Sequence, residues 1–218
     1  MFVVLIILIV FLICLFSINN KVKSKENMSH VKSKNIKDMR HDILIRSCYD
    51  GGGGEEFGER MIAYKWTSPD ACVLEFGGGA GSVSHVVQDR IKNMTNHVVI
   101  QPKEGGAFGG LEQLKKNRET CELKFQIIDR VLERGDEAFV LKLVTKPFDT
   151  IIADCEDCLY YEYKKNPKLF ENVKQIQVER DDFKTLSYDL LRKELNMEVI
   201  DEGLGCDGAC TTEVWVKK

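Results

Sequence analysis

The chain has 218 residues, of which 44% are hydrophobic and 30% charged, with a formal net charge of −3. That balance excludes a disordered chain and fits one folded domain with an appendage. The charge is uneven. Residues 19–42 hold seven Lys/Arg against three Asp/Glu, whereas residues 43–218 hold 24 against 31, a net of −7 that argues against a nucleic-acid partner.

Residues 1–18 carry no charged side chain, and Phe2–Ile18 is almost unbroken Val, Ile, Leu and Phe. As a helix this run spans about 26 Å, near the lower limit for crossing a bilayer. No basic residue precedes it, and Lys21, Lys23 and Lys25 follow it. That distribution favours an uncleaved anchor with a cytoplasmic C-terminal side over the alternative, a cleaved signal peptide. The expectation is a transmembrane anchor over 1–18 and a basic juxtamembrane linker over 19–42 lying along an anionic membrane surface. The folded domain then spans 43–218 in a single-pass membrane protein.

A four-glycine loop, Gly51–Gly54, precedes a predicted helix over Glu55–Tyr64. Beyond it, short apolar runs at Cys72–Phe76, His97–Gln101, Leu123–Ile128, Thr150–Ala153, Val173–Val178 and Glu198–Asp201 read as strands. Helical stretches over 82–91, 109–118, 158–170 and 183–195 fall between several of them. Such alternation predicts a parallel sheet with helices on both faces. A further strand is expected at Ala138–Val144, and Thr211–Val216 is expected to pair antiparallel beside the sheet.

The first strand ends in Glu75-Phe76-Gly77-Gly78-Gly79-Ala80-Gly81, and a helix follows from Ser82. A strand, a glycine turn and a helix bring backbone N–H groups close to a ligand, because glycine has no Cβ to block the approach. The spacing fits neither the dinucleotide G-x-G-x-x-G nor the phosphate loop G-x-x-x-x-G-K-[ST]. The acid-x-Gly-x-Gly-x-Gly pattern is similar to the adenosylmethionine-binding signature of Rossmann-like methyltransferases, whose ligand carries an ammonium that suits an acid at the strand end. In an open sheet the ligand lies across the carboxyl ends of the strands. Those ends deliver Glu75, Gln101, Asp129, then Asp154-Cys155-Glu156, then Glu179.

Three segments together carry a resemblance. The glycine motif, Phe148–Glu156 and Ile176-Gln177-Val178-Glu179 resemble the FkbM-like methyltransferases, and the ending Thr212-Glu213-Val214-Trp215 is similar to the last strand of some members. The resemblance covers roughly residues 50–218. It implies a Rossmann-like α/β methyltransferase fold with a mostly parallel seven-stranded sheet and an antiparallel last strand. It further implies methyl transfer from S-adenosylmethionine to a hydroxyl of a sugar or other small molecule. The cofactor would meet Glu75, Gly77, Gly79, Gly81, Gln101 and Asp129. Two departures stand out: Gln101 where many members have a ribose-binding acid, and Asp157 where the family pattern has glycine. They motivate an alternative, a membrane-anchored scaffold that keeps the fold without the activity.

Asp154 and Glu156 are the candidate catalytic residues. Alternating on an extended strand end, both carboxylates would face one side, where one could assist removal of the acceptor proton. The pair is also compatible with a divalent cation, which the sequence does not require. His85 and His97 read as structural. Of the eight cysteines, Cys14 lies in the apolar run and seven fall in the domain. An odd number fits poorly with a disulfide framework, so free thiols in a reducing cytoplasm are expected. Cys155-x-x-Cys158 with Cys206-x-x-x-Cys210 is the weaker zinc reading. Two glycosylation sequons, Asn27-Met28-Ser29 and Asn93-Met94-Thr95, would matter only in a lumenal domain.

Overall fold

The computed structural model describes residues 48–51, 56–103, 110–155, 157–180, 185–205 and 210–218. The expected anchor, linker and most of the four-glycine loop lie outside these residues, as does Glu156. Among the described residues no helix is long and apolar enough to cross a membrane.

Helix α1 (Phe57–Trp66) leads into β1 (Val73–Phe76), α2 (Ser82–Arg90), β2 (His97–Ile100), α3 (Gly110–Thr120) and β3 (Gln126–Ile128). Next come α4 (Glu137–Val140), β4 (Thr150–Ala153), α5 (Cys158–Lys165), β5 (Gln175–Arg180), α6 (Thr185–Glu194), β6 (Met197–Gly205) and β7 (Cys210–Lys217). The seven strands form one sheet in the order β3-β2-β1-β4-β5-β7-β6. β1 to β5 pair parallel, and β7 runs antiparallel to both β5 and β6. The sheet is therefore mixed, with the antiparallel strand inserted between β5 and β6 instead of lying at an edge.

Side chains alternate across the pleat, and the two faces differ in chemistry. Leu74, Phe76, Val98, Ile100, Ile151, Ala153, Ile176, Val178 and Trp215 share one face and join Leu159, Phe170, Tyr188 and Leu191 in the main core. The alternate positions are more polar, with Glu75, His97, Thr150, Gln177 and Thr212 buried among Val73, Val99, Ile152 and Val214. Elements α1, α2 and α3 belong to this second face; Leu114 of α3 packs with Val99, Leu123 and Phe125, and α1 contacts α2 and the β5–β7–β6 part of the sheet.

Two sequence expectations are corrected. Residues 138–144 form no strand; 138–143 lie in α4 and a following 3-10 turn, Leu141–Leu143, and Val144 ends that turn. Asp136 accepts from Phe139 and Val140 through its carbonyl and turns the chain, so Val140 is buried while Phe139 is 48% exposed. A short apolar run fits a helical turn or a strand equally well, and packing decides. The predicted helix over 158–170 breaks at Asn166, which has φ −132 and ψ 58. Pro167 imposes this, because a residue before proline is pushed out of the helical region; a 3-10 turn over Pro167–Phe170 follows.

Candidate functional site

The glycine turn is set by steric demand. Gly77, Gly79 and Gly81 all have positive φ, at 83°, 49° and 93°. A Cβ on Gly77 would fall 1.6 Å from the Asp154 carbonyl oxygen, and one on Gly78 would fall 2.4 Å from Val99 Cγ1. Gly81 faces Leu114 at 2.8 Å. Gly79 differs: its nearest neighbour would be Glu56 Oε1 at 3.5 Å. Three glycines thus let β1, β4, α2 and α3 close up, and the fourth presents a bare backbone surface with room beside it.

Gly81 occupies the N-cap of α2 without a side-chain cap, so the first-turn amides of that helix have no intrahelical acceptor and can receive an anionic or polar group. Ser82 at that terminus donates its hydroxyl to Glu56 Oε2. Gln101 is buried and accepts from Gly79 N at 2.8 Å. The glycine turn, Gln101, Glu56 and the start of α2 therefore converge.

A cleft opens between this turn and the polar face of the sheet. Glu59, Glu75, Asp154, Gln177, Glu179 and Thr212 supply its polar lining, and Ile62, Phe76, Val83 and Ile152 its apolar lining. Asp154 follows β4 directly, its amide donating to Phe76 O at 2.9 Å. Gln177 Oε1 and Thr212 Oγ1 are buried in the lining without a hydrogen-bond partner among the described residues.

Electrostatics beside the glycine turn single out Glu56, which is not among the candidates read from the sequence. Burial, reinforced by Asp154, Glu59 and Glu75, pushes the Glu56 carboxyl up to about 7. Its position on a turn before α1, outside every strand end, gave no signal in the sequence; the acid-rich surroundings exist only once the chain is folded.

The other candidates separate. Glu75 is buried, accepting from Ser84 Oγ at 2.8 Å on both carboxylate oxygens and lying 2.8 Å from His97 Nε2. His97 Nδ1 in turn meets Gln88 Nε2 at 3.2 Å. Glu75 thus ties β1 to α2 and β2 while its edge lines the cleft. Asp129 is exposed, 3.6 Å from Lys115 Nζ, and is not part of the cleft lining. Asp157 sits at the N-cap of α5 in the left-handed region, φ 74, without a side-chain cap. The backbone there adopts the left-handed conformation that glycine favours.

Cysteines depart most from expectation. Cys48 is bonded to Cys121 and Cys155 to Cys158. Cys210 is also disulfide-bonded. The free cysteine among the described residues is Cys72, fully buried, its thiol pushed up to about 12 by burial. The odd count misled because one thiol, Cys72, is set apart in the core while Cys48, Cys121, Cys155 and Cys158 pair. Glu59, Glu179 and Cys210 bring ligand-type atoms within 4.8 Å of one another, but a disulfide sulfur offers no thiolate to a metal.

This architecture recurs in solved structures. An O-methyltransferase from Bacillus cereus in complex with SAH matches with a TM-score of 0.52 and 13% identity over 88% of this chain and 96% of that one. The B. subtilis M1A22 tRNA methyltransferase TrmK matches at 0.54 and 12%, covering 77% and 68%. An uncharacterized Listeria monocytogenes protein matches at 0.53 and 8%, covering 72% of this chain, which spans 65% of that protein's length. The fold is that of the Rossmann-like methyltransferases. No protein-family model matches the chain, and no curated protein matches it either. At these identities the likeness concerns the arrangement of strands and helices, and the site must be argued from its own residues.

Proposed function

We propose that this chain is an S-adenosylmethionine-dependent methyltransferase that methylates a hydroxyl of a small molecule or sugar, an FkbM-like activity. The observation that carries the reading is the bare, left-handed Gly79 beside an open space bounded by Glu56 and Gln101. A Cβ at this position would fill the approach to the Gly79 backbone, and the acids beyond it suit a cationic, amine-bearing ligand. The same fold in the Bacillus cereus enzyme was solved with SAH.

Gly79, Gly81 and the first turn of α2 would hold the cofactor's amino-acid portion, with Gln101 offering amide hydrogen bonds to the ribose. Gln101 can accept one bond and donate another, without the strength of a charged acceptor. When bound, the cofactor supplies an electrophilic methyl group. The chain's own contribution is alignment of the acceptor oxygen and removal of its proton. Asp154 lines the cleft at the end of β4 and is the candidate proton acceptor; Glu156, two residues on, is its proposed partner. Glu56, held near neutrality, is a second carboxylate suited to proton transfer at physiological pH.

The acceptor class follows from charge. The fold also serves tRNA methylation in TrmK, but the net −7 of residues 43–218 and the acid-lined cleft favour an uncharged or cationic small acceptor over a polyanion. A non-catalytic binding role is the second reading. It is favoured by one observation, the Gln101 side chain engaging Gly79 N where a ligand would otherwise bind.

Calorimetric titration of the purified, oxidised protein with adenosylmethionine and its demethylated product tests the proposal. Micromolar binding of both, abolished in Gly79→Asp with the fold intact by circular dichroism, is the expected result. A folded wild-type protein that binds neither would leave the binding-module reading. Methyl transfer from labelled adenosylmethionine to a panel of sugars, phenols and tRNA would then fix the acceptor.

A further inference from the structure

The disulfides and one surface turn bear on where this domain matures, independently of the methyltransferase reading. Cysteines of a cytosolic domain are kept reduced, and stable structural disulfides are rare there; they form and persist in oxidising compartments. Here a bond joins residues 73 positions apart, Cys48 and Cys121, a second joins Cys155 and Cys158, and Cys210 forms a third. The free thiol among the described residues, Cys72, is withdrawn completely into the core. Among the described residues, partnered cysteines with one shielded thiol are the pattern of a domain made in an oxidising environment. Each bond requires two thiols to give up two electrons and two protons, which an oxidised dithiol carrier of that compartment would accept by exchange.

In such a compartment the sequon Asn93-Met94-Thr95 acquires meaning. It lies on the turn between α2 and β2, with Asn93 and Thr95 both exposed. The asparagine and the threonine are already paired: Thr95 Oγ1 donates to Asn93 Oδ1 at 2.8 Å, and Thr95 N donates to the same oxygen at 3.2 Å. Both bonds use Oδ1, so Nδ2, the atom that takes a sugar, is not engaged in them. The neighbouring Asn96 shows the contrast. It is buried, and its Oδ1 accepts from both Thr145 N and Thr145 Oγ1. Asn93 also lies before the first residue of β2, whereas the glycine turn and Gln101 lie at the strands' carboxyl ends. A glycan on Asn93 would leave the cleft open.

We infer that this domain folds in the oxidising lumen of the secretory pathway and carries an N-linked glycan on Asn93. The donor is a lipid-linked pyrophosphoryl oligosaccharide. Asn93 Nδ2 forms a bond to the anomeric carbon of the sugar, and the bond from that carbon to the pyrophosphate oxygen breaks. The lipid pyrophosphate leaves with the electron pair, and one amide proton passes to a base of the transferase. This placement is the reverse of the one that the lysines after residues 1–18 suggest. The charge rule is a statistical bias of orientation, while the disulfides are specific pairings of this fold that an oxidising compartment would sustain.

The test expresses the full chain in eukaryotic cells with Asn27→Gln present throughout, so that the sequon in residues 27–29 cannot contribute. Gel mobility is compared before and after peptide N-glycosidase, which leaves aspartate at a formerly glycosylated asparagine. The expected result is one glycan-sized step that collapses with the enzyme, disappears in Asn93→Gln and Thr95→Val, and persists in Thr95→Ser. Mass spectrometry should find aspartate at position 93. Because the sugar is added during synthesis, a variant that folds poorly still reports. Alkylation of the unreduced, denatured protein should modify Cys72 and spare Cys48, Cys121, Cys155 and Cys158. A chain without the step, or with those four cysteines alkylated, overturns the inference.

Discussion

At the residue scale, the glycine turn shows why position matters more than residue type. Gly77 and Gly79 both have positive φ, but a side chain on Gly77 would run into the backbone of Asp154, whereas a Cβ on Gly79 would come no closer than 3.5 Å to its nearest described neighbour, Glu56 Oε1. Gly77→Ala is therefore a folding lesion and Gly79→Asp a binding lesion, and only the latter tests ligand binding. The motif was legible because its spacing encodes that backbone path. Glu56 was not legible, since Glu75 and Asp154, which join the nearby Glu59 around it, come from two distant parts of the chain. Its carboxyl rises from 4.5 to about 7 on folding, so the native state binds a proton that the unfolded chain releases. The associated stability is fully present below about pH 4.5 and is lost as pH rises to about 7, by no more than about 3 kcal/mol. Glu56→Gln should flatten this slope and leave the variant more stable than wild type above neutrality. Urea denaturation at several pH values checks it; identical slopes in the two proteins would refute the assignment.

At the scale of elements, Glu75 joins three of them. Its carboxylate accepts from Ser84 in α2 and meets His97 in β2, and Gln88 extends the chain of bonds to Lys124 N. The sequence marks Glu75 as a ligand-facing acid, because a strand-end carboxylate beside a glycine motif reads that way; it contains no cue that Ser84 and His97 would claim the same oxygens. Strand identity was legible at β1, whose apolar run leads into glycines, and at β4, an apolar run bounded by Asp149 and Asp154. It was not at 138–144, where one apolar run fits either state. The network yields a prediction of its own. Glu75→Ala strands two buried polar partners and should cost about 3–5 kcal/mol, the range for breaking a buried charged contact. Glu75→Gln, which keeps an acceptor, should cost about 1–3 kcal/mol. Denaturant midpoints distinguish these outcomes. Equal, negligible losses would mean that Glu75 serves the ligand and not the fold.

At the scale of the whole molecule, the segment before α1 is held to the rest by a covalent bond and a set of polar ones. Cys48 is bonded to Cys121, just beyond α3. Asn117 of α3, itself 1% exposed, accepts from Asp50 N at 2.9 Å and donates to Asp50 O and Ala80 O, both at 2.8 Å. The staple thus reaches the glycine turn through one asparagine. Closing a loop of 73 residues removes much of the unfolded chain's freedom, and the chain-entropy estimate is about 4 kcal/mol. Losing the bond should lower the melting temperature by roughly 5–15 °C for a domain of this size. Cys121→Ser should reproduce the effect of reduction, and reductant should then have little further effect on this segment's amide exchange. Because Asn117 couples the segment to Ala80, exchange protection should fall at the glycine turn as well, and adenosylmethionine affinity with it. A domain that melts at one temperature with and without the Cys48–Cys121 bond would show that the polar contacts alone hold the segment and that the disulfide is incidental to the site.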